Sequence, residues 1–574
     1  MHNNYIIEMS KDGYEILKVK KNNKWMYIGS KYNMKNEIDK FINEFDIEHD
    51  KNFIFLIYGF ASGVHIEELR KKFKNNKIIV YEPNENLKEY VLNKKWVLED
   101  KNLSVLFCKK DEIKDYLLNY IEEYDLDNIK FVYLHNYLIY MDDLKESLDH
   151  IKNFLSSLRI NRNTKMVFSK RWFETIIRNI TGFVDGTPID LYKNKYKNKA
   201  AIIVSAGPSL KKNIDELKKI DNDMMIISGG RTLKPLIEKG IKPHLLVVAD
   251  PGEISYELVE GYIENLDIPL LFYEGTNEKV VNNHKGDKIF FSTNKFIDDI
   301  CEKEIMPLSC GGSVSHSMVS AALVFGCNPI IFVGQDLAFS GEKRYSSLTC
   351  NRDGSDPSNS NENNDYRLVE GVNEKEVRTN GEFEYFRRSF ELIIKKNPYT
   401  VFVNATEGGA RIHGTKEMKL KDVIAKYKSS KIEKIKKIKY DIDLKANAVQ
   451  ALKQVKESAK SIINSSKKAI NELEKIEKLK MINNENEVNE CLIRLNKIDE
   501  RIKKESKNIE LVRSLIYPII YETLNQRYKI INVNNKKDKV RNVIDENMKL
   551  YNAFIEQLQF ALDYIDETLI ILEK

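Results

Sequence analysis

Five turns in the middle of this chain carry the residue types that hold an anionic ligand. Ser205-Ala206-Gly207-Pro208-Ser209 follows the apolar run 200–204 and precedes a helical pattern, LKKNIDELKKI. Ser228-Gly229-Gly230-Arg231-Thr232, Ala249-Asp250-Pro251-Gly252 and Tyr273-Glu274-Gly275-Thr276 follow three further apolar runs. Ser309-Cys310-Gly311-Gly312-Ser313-Val314-Ser315-His316 opens an apolar helical pattern. Small residues allow close backbone approach, hydroxyls donate to phosphate or ribose, and helix N-termini present unpaired N–H groups. Arg231 supplies a cation, and Asp250 either accepts from ribose hydroxyls or orders its loop. A single turn of this kind is ordinary loop chemistry. Five at the ends of strands in one sheet point to a nucleotide.

Two residues are candidates for proton transfer. The run NPIIFVGQD ends in Asp336, which serves either as a general base or as the cap of the turn that follows it. His316, one turn into its helix, is either a second base or a hydrogen-bonded core residue. The loop after Asp336, SGEKRYSSLTCNRDGSDPSNSNENND, is long and polar and carries Arg344 and Tyr345. Such a loop at a strand end reads as a lid over a ligand. Arg231 or Arg344 would pair with a phosphate or a carboxylate, and the hydroxyls of Ser209, Ser313 and Tyr345 would face a leaving phosphate. The chain has no GxxxxGK[ST] and no full GxGxxG with a downstream acid in its central block, and none of its strand-end turns carries a DxD or HExxH that would support a catalytic metal. Those absences argue against a P-loop kinase, a dehydrogenase and a metal site.

The elements that must position these residues are legible in the hydrophobic pattern. AAIIVSA, DMMIISGG, HLLVVADP, IPLLFYEG, KIFFST, NPIIFVGQD and YTVFVNAT are strands, and several are continuous apolar runs of the kind buried parallel strands require. The expected fold is α/β: a doubly wound, mostly parallel Rossmann-like central domain over 181–425. Before it come a small β-rich cap, 1–45, and an N-terminal Rossmann-like domain, 46–180. In the latter, FIFLIYGFASG and KIIVYEPN end in an incomplete glycine pattern and in Glu82. That reads as a nucleotide fold reused for packing rather than as a second binding site. Trp172, Phe173, Ile176, Ile177 and Ile180 form a buried stripe. After 426, Lys and Glu dominate, and three amphipathic stripes predict an antiparallel bundle of three long helices. The third stripe runs from Cys491 to Ile516 and ends near Pro518.

The 574 residues carry 92 basic and 86 acidic side chains, a net +6 that gives no reason to invoke nucleic acid. Six cysteines without CxxC spacing suggest a reduced compartment. With no apolar run of spanning length and no leader pattern, a cytoplasmic protein without membrane insertion is expected.

AIIVSAGPSLKKNI, SGGRTLKPLIEKGIKPHLLVVADP, CGGSVSHSMVSAALVFGCNPIIFVGQDLAFSGEKRYS and VNATEGGARIHGT together resemble the bacterial motility-associated-factor (Maf) flagellin glycosyltransferases. The central domain of that family is also described as similar to 6-hydroxymethylpterin pyrophosphokinases (MptE-like). The same block is similar to bacterial sialyltransferases. The resemblance implies transfer of a nonulosonic acid, of pseudaminic or legionaminic type, from its CMP-activated form to Ser or Thr of flagellin. It implies that Gly207, Pro208, Ser209, Gly229, Gly230, Arg231 and Thr232 hold the nucleotide. Gly311, Gly312 and Ser313 would lie near cytidine or phosphate, and the C-terminal helices would recognise flagellin. It calls for no cofactor beyond the CMP-sugar donor. One departure stands out: sialyltransferases of this type carry a catalytic His after the lid, and this chain has no His between His316 and His413. Asp336, Asp365, an acid in VEGVNEKE or His316 must then take the proton. Two other readings remain open, a Mg²⁺-dependent pyrophosphokinase acting on a pterin and a non-enzymatic flagellin-binding scaffold.

Overall fold

The computed structural model describes residues 5–46, 53–309, 312–341, 343–349, 366–428, 430–481, 484–530 and 536–574. They divide into two compact units, each built from separated stretches of chain. One comprises Met1–Ser169, Lys467–Leu495 and Ile516–Phe554. The other comprises Lys170–Ser466, Asn496–Leu515 and Ile555–Lys574. The helical segment after 426 is thus shared between the two units.

In the first unit, β1 (Tyr5–Met9), β2 (Glu15–Lys21) and β3 (Lys24–Ile28) form an antiparallel meander, followed by α1 (Met34–Asn43). A four-stranded parallel sheet comes next, from β4 (Ile54–Tyr58), β5 (Ile78–Tyr81), β6 (Leu103–Leu106) and β7 (Ile129–Tyr133), in the order β6-β5-β4-β7. Beside Glu82 the space at the carboxyl ends of this sheet is filled by the Tyr137 ring, while a cavity of about 650 Å³ lined by Ala61, His65 and the 132–136 segment lies next to it. Gly59 has φ +100°, and a Cβ there would lie 2.5 Å from the Tyr137 ring. The Tyr137 hydroxyl donates to the Glu82 carboxylate. Glu82 is fully buried and also accepts from the backbone N–H groups of Phe60 (2.9 Å) and Asn84 (2.8 Å). An acid that would hold ribose hydroxyls here ties three loops together, as the sequence suggested.

Helix α2 (Met141–Asp185) leads into the second unit and carries the expected stripe: Phe173, Ile177 and Ile180 are fully buried, while Trp172 is half-buried. The central sheet contains β8 (Thr187–Pro188), β9 (Ala201–Val204), β10 (Met225–Gly229), β11 (Leu245–Val247), β12 (Leu270–Phe272), β13 (Lys288–Phe290), β14 (Ile330–Val333), β15 (Phe402–Asn404) and β16 (Lys416–Glu417). All neighbours are parallel, in the order β16-β15-β14-β9-β10-β11-β12-β13-β8. The seven expected strands are present, and two short edge strands, β8 and β16, extend the sheet. Both faces are covered. Ala201 and Ile203 pack on one side with Met318 and Val319, and Ile202 and Val204 pack on the other with Leu210 and Ile214. That two-sided burial is why these strands read as unbroken apolar runs.

Among the C-terminal helices, α3 (Leu444–Met481) runs antiparallel to α4 (Glu485–Glu505): Arg494 pairs with Glu472 at 2.8 Å and Ser458 donates to Glu505 at 2.9 Å. The third expected stripe is broken. Tight 3₁₀ turns occupy Ser506–Asn508 and Glu510–Val512, and a new helix, α5 (Arg513–Ile530), contains Pro518 rather than stopping at it. Ser506 donates to the Lys503 carbonyl at 2.8 Å, the local competition with helical bonding that Ser and Asn favour. No described helix is long and apolar enough to cross a membrane.

Substituting Gly59→Ala is expected to lower the stability of the first unit by about 2 kcal/mol or more, since the methyl meets the Tyr137 ring at a left-handed φ. Urea denaturation monitored in that unit checks this.

Candidate functional site

The strand order reverses between β9 and β14. From β9 the chain steps through β10 to β13 on one side, then returns to place β14 and β15 on the other. Loops leaving the carboxyl ends of strands at such a reversal splay apart and leave a crevice. A cleft of about 430 Å³ opens there. Its walls include Gly207, the Gly229–Thr232 turn, Asp250, Gly312, Ser313, Asp336, Arg344 and Tyr345. Eleven of the fifteen residues singled out in the sequence therefore meet around one cavity. Gly311 lies outside the described residues. The helices over Gly230–Glu238 and Val314–Val324 both begin at this cleft; Ser313 caps the second, its hydroxyl accepting from the Ser315 N–H at 3.4 Å.

Pro208 and Ser209 stand elsewhere, and the reason is Asp336. The Ser209 hydroxyl donates to Asp336 Oδ2 at 2.7 Å, and the Ser209 N–H lies 3.2 Å from both carboxylate oxygens. The turn that looked ready for a ligand phosphate already holds an anion, supplied by the protein itself from 127 residues away. The helix behind it, Leu210–Asn213, is only four residues long. Glycine is required around this carboxylate: a Cβ on Gly207 would collide with Asp336 Oδ2, and one on Gly409, at φ +74°, with the Asp336 carbonyl.

His316 does not reach the cleft. It is fully buried, its ring stacked on Phe390 with centroids 4.0 Å apart. Nδ1 lies 3.2 Å from the Ser313 carbonyl and Nε2 3.1 Å from the Phe386 carbonyl. Burial lowers its pKa, against the two backbone carbonyls that its ring nitrogens face. It is the core residue that the sequence left as one alternative. His413 is exposed and pairs with Glu391 at 2.7 Å. Of the other candidate acids, Asp365 lies outside the described residues, Glu370 pairs with Arg411, and Glu374 and Glu376 are exposed.

The cations of the cleft are partly spoken for. Arg344 Nη2 donates to both carboxylate oxygens of Glu382, each contact 2.7 Å. Arg231 lies over the Tyr345 ring at 4.6 Å and donates to the Thr349 carbonyl at 3.2 Å. Thr232 is buried, its hydroxyl 2.9 Å from that of Ser228. Asp250 Oδ1 accepts from the Gly252 N–H at 2.7 Å, which orders its loop. Residues 343–349 close one side of the cleft, with the Ser346 N–H donating to the Ala206 carbonyl at 2.8 Å. The rest of the expected lid, 350–365, lies outside the described residues.

Residues 174–342 match the family described as "6-hydroxymethylpterin diphosphokinase MptE-like". No curated protein matches the chain in sequence. A solved MAf glycosyltransferase from Magnetospirillum magneticum AMB-1 superposes with a TM-score of 0.61, covering 99% of this chain and 95% of that one at 13% identity. The chain has the fold of a Maf glycosyltransferase. The likeness extends through both compact units and the C-terminal helices, in keeping with the resemblance read from the sequence.

Within this Maf-type fold, the cleft contains a polar floor that sequence reading missed. The Ser205 hydroxyl donates to Gln335 Oε1 at 2.5 Å and lies 2.9 Å from the Ser315 hydroxyl; all three residues are buried. Each follows a strand or opens a helix already marked as important, so their position was legible although their mutual bonding was not. Glu382 was missed because it lies past the lid, on the helix Gly381–Lys396.

Burial pushes the Asp336 carboxyl from 3.8 up to about 6; the Ser209 hydrogen bonds and the charge of Lys212 oppose this only in part. A carboxylate held this way is a stronger base than a solvated one. It also costs stability. Well below pH 3.8 the group is protonated both folded and unfolded, and its contribution is neutral. As pH rises from 3.8 to 6 the unfolded state ionises first, so the cost builds over that window and levels off above 6 at about 3 kcal/mol. Asp336→Asn removes that dependence, so the difference in melting temperature between variant and wild type is expected to move in the variant's favour from pH 4 to pH 7.5. Calorimetry across that range reads it directly.

Proposed function

We propose that this protein is a glycosyltransferase that moves a nonulosonic acid, of pseudaminic or legionaminic type, from its CMP-activated form to Ser or Thr of flagellin. The observation that carries the reading is the 430 Å³ cleft at the strand-order reversal of a Maf-type fold, with one buried carboxylate, Asp336, in its wall. A sugar nucleotide needs a cavity of this class, typically about 300–1,000 Å³.

In this reading the residues of the cleft take the following roles. The Gly229-Gly230-Arg231 turn and Ser313, each opening a helix at the cleft, face the phosphate. Arg231, stacked on Tyr345, pairs with the phosphate or the sugar carboxylate. As the anomeric carbon–oxygen bond breaks, positive charge builds on the sugar and negative charge on departing CMP, and fixed N–H dipoles stabilise the latter without reorganising. Asp336 accepts the proton of the attacking hydroxyl. Direct displacement at this carbon inverts its configuration. Ser209 acts on Asp336, orienting the carboxylate with its hydroxyl and N–H.

A second reading is favoured by the match of 174–342 to the diphosphokinase family. It predicts Mg²⁺-dependent transfer of pyrophosphate from ATP to a hydroxymethylpterin.

Purified protein mixed with flagellin and CMP-pseudaminate or CMP-legionaminate is expected to raise the flagellin mass by one sugar. No gain with either donor, together with ATP- and Mg²⁺-dependent turnover of the pterin, would replace this reading with the second. With Asp336 as base, kcat/KM rises tenfold per pH unit below about 6 and is level above it. Asp336→Asn is expected to lower kcat by about 10²–10⁴-fold and to flatten that profile. A pH–rate series on both proteins gives the comparison.

A further inference from the structure

The floor of the 430 Å³ cleft holds an amide whose orientation the protein has fixed. Ser205 follows β9, Ser315 lies in the first turn of the helix Val314–Val324, and Gln335 follows β14; all three are buried and line the cleft. The Ser205 hydroxyl stands 2.5 Å from Gln335 Oε1 and 2.9 Å from the Ser315 hydroxyl. A separation of 2.5 Å belongs to O–H···O rather than N–H···O, so the carbonyl side of the amide faces Ser205. Ser205 spends its proton on Gln335 and accepts that of Ser315. The Gln335 backbone N–H donates to Thr406 Oγ1 at 3.2 Å, which holds the stem. Nε2 is left with two N–H donors that meet no acceptor among the described residues. Donors fixed in advance bind a ligand oxygen without reorganising.

We infer that Gln335 Nε2 donates to the carboxylate of the sugar, so that this amide gives the cleft its preference for a sugar acid over a neutral sugar. This rests on the transferase reading above. A nonulosonic acid carries its carboxylate on the reacting carbon itself, so the group that reads it must stand near both the phosphate and the base. Gln335 meets both conditions. It is tied through Ser205 to the first turn of the helix whose start faces the phosphate, and it precedes Asp336 in the chain, both residues lining the cleft. The arginines of the cleft are engaged elsewhere, Arg344 with Glu382 and Arg231 with Tyr345 and Thr349. A neutral donor also suits this place chemically. A guanidinium beside Asp336 would pull its pKa back down and remove the basicity that burial gives it, whereas an amide holds the substrate carboxylate and leaves the base alone.

Calorimetry with CMP and with CMP-pseudaminate or CMP-legionaminate, whichever the wild type binds, supplies the test. Asp336→Asn is the background, so that bound donor turns over slowly. Gln335→Leu keeps most of the side-chain volume and loses the amide. It is expected to weaken the CMP-sugar about 10–100-fold and CMP by no more than about twofold, the loss of a hydrogen bond to a charged group. Gln335→Glu, which sets a carboxylate against that of the sugar, is expected to weaken the CMP-sugar further still at pH 7.5, again sparing CMP. Ser205→Ala frees the amide to turn and is expected to cause a smaller loss of the same kind. An unchanged donor Kd in Gln335→Leu, or donor binding in Gln335→Glu as tight as in the background protein, overturns the inference while leaving the transferase reading intact. Equal losses for CMP and CMP-sugar also overturn it, because the amide would then act on the nucleotide. If wild type binds neither CMP nor either donor, the transferase reading falls, and this inference with it.

Discussion

The hydrogen bonds from Ser209 to the Asp336 carboxylate are the contact on which the rest of the site depends. They join the turn after β9 to the turn after β14, the two strands that flank the reversal of strand order. Around that contact the backbone is stripped of side chains at Gly207 and Gly409, because any Cβ there would collide with Asp336. A buried carboxylate with these partners is constrained in position and raised in pKa at once. The constraint comes from the Ser209 hydrogen bonds and the basicity from burial, and burial outweighs the lowering that those bonds bring.

The two parallel sheets of this protein put similar elements to different uses. In the N-terminal unit the acid at a strand end, Glu82, is bonded to Tyr137 and two backbone N–H groups, and the tyrosine ring fills the space against Gly59. In the central unit the space beyond the strand ends is open, and the acid sits in its wall. An acid after a strand is thus a poor guide by itself. What distinguishes the two is the acid's partner: Glu82 is tied by a large side chain from a later element, 55 positions away.

Much of the architecture was legible because burial on both faces writes itself into a sequence. Ile202, Ile203 and Val204 are apolar on successive positions since each face of the sheet has a core of its own. The turns at the strand ends were legible through Gly, Ser and Arg, and eleven of those residues meet around one cleft. The pairing of Ser209 with Asp336 was not legible, since nothing local links positions 127 apart. For the same reason Arg344 looked like a cation for a ligand until Glu382 was found beside it. His316, one turn into an apolar helix, fits either a base or a core residue in sequence, and in space it is stacked on Phe390. The break at Ser506–Val512 escaped notice because the apolar period continues through it while Ser506 bonds back to the helix.

Under the proposed function, the Gly207–Ser209 turn serves the protein's own carboxylate, and the Gly229–Thr232 and Gly312–Ser313 turns are the ones that would hold the nucleotide. A crystal structure of the protein with CMP tests this most directly. The account predicts the phosphate against the helix starts at Gly230 and Val314, with the Ser209–Asp336 bonds intact. A phosphate seated on the Ser209 N–H and hydroxyl, with Asp336 displaced, would contradict it.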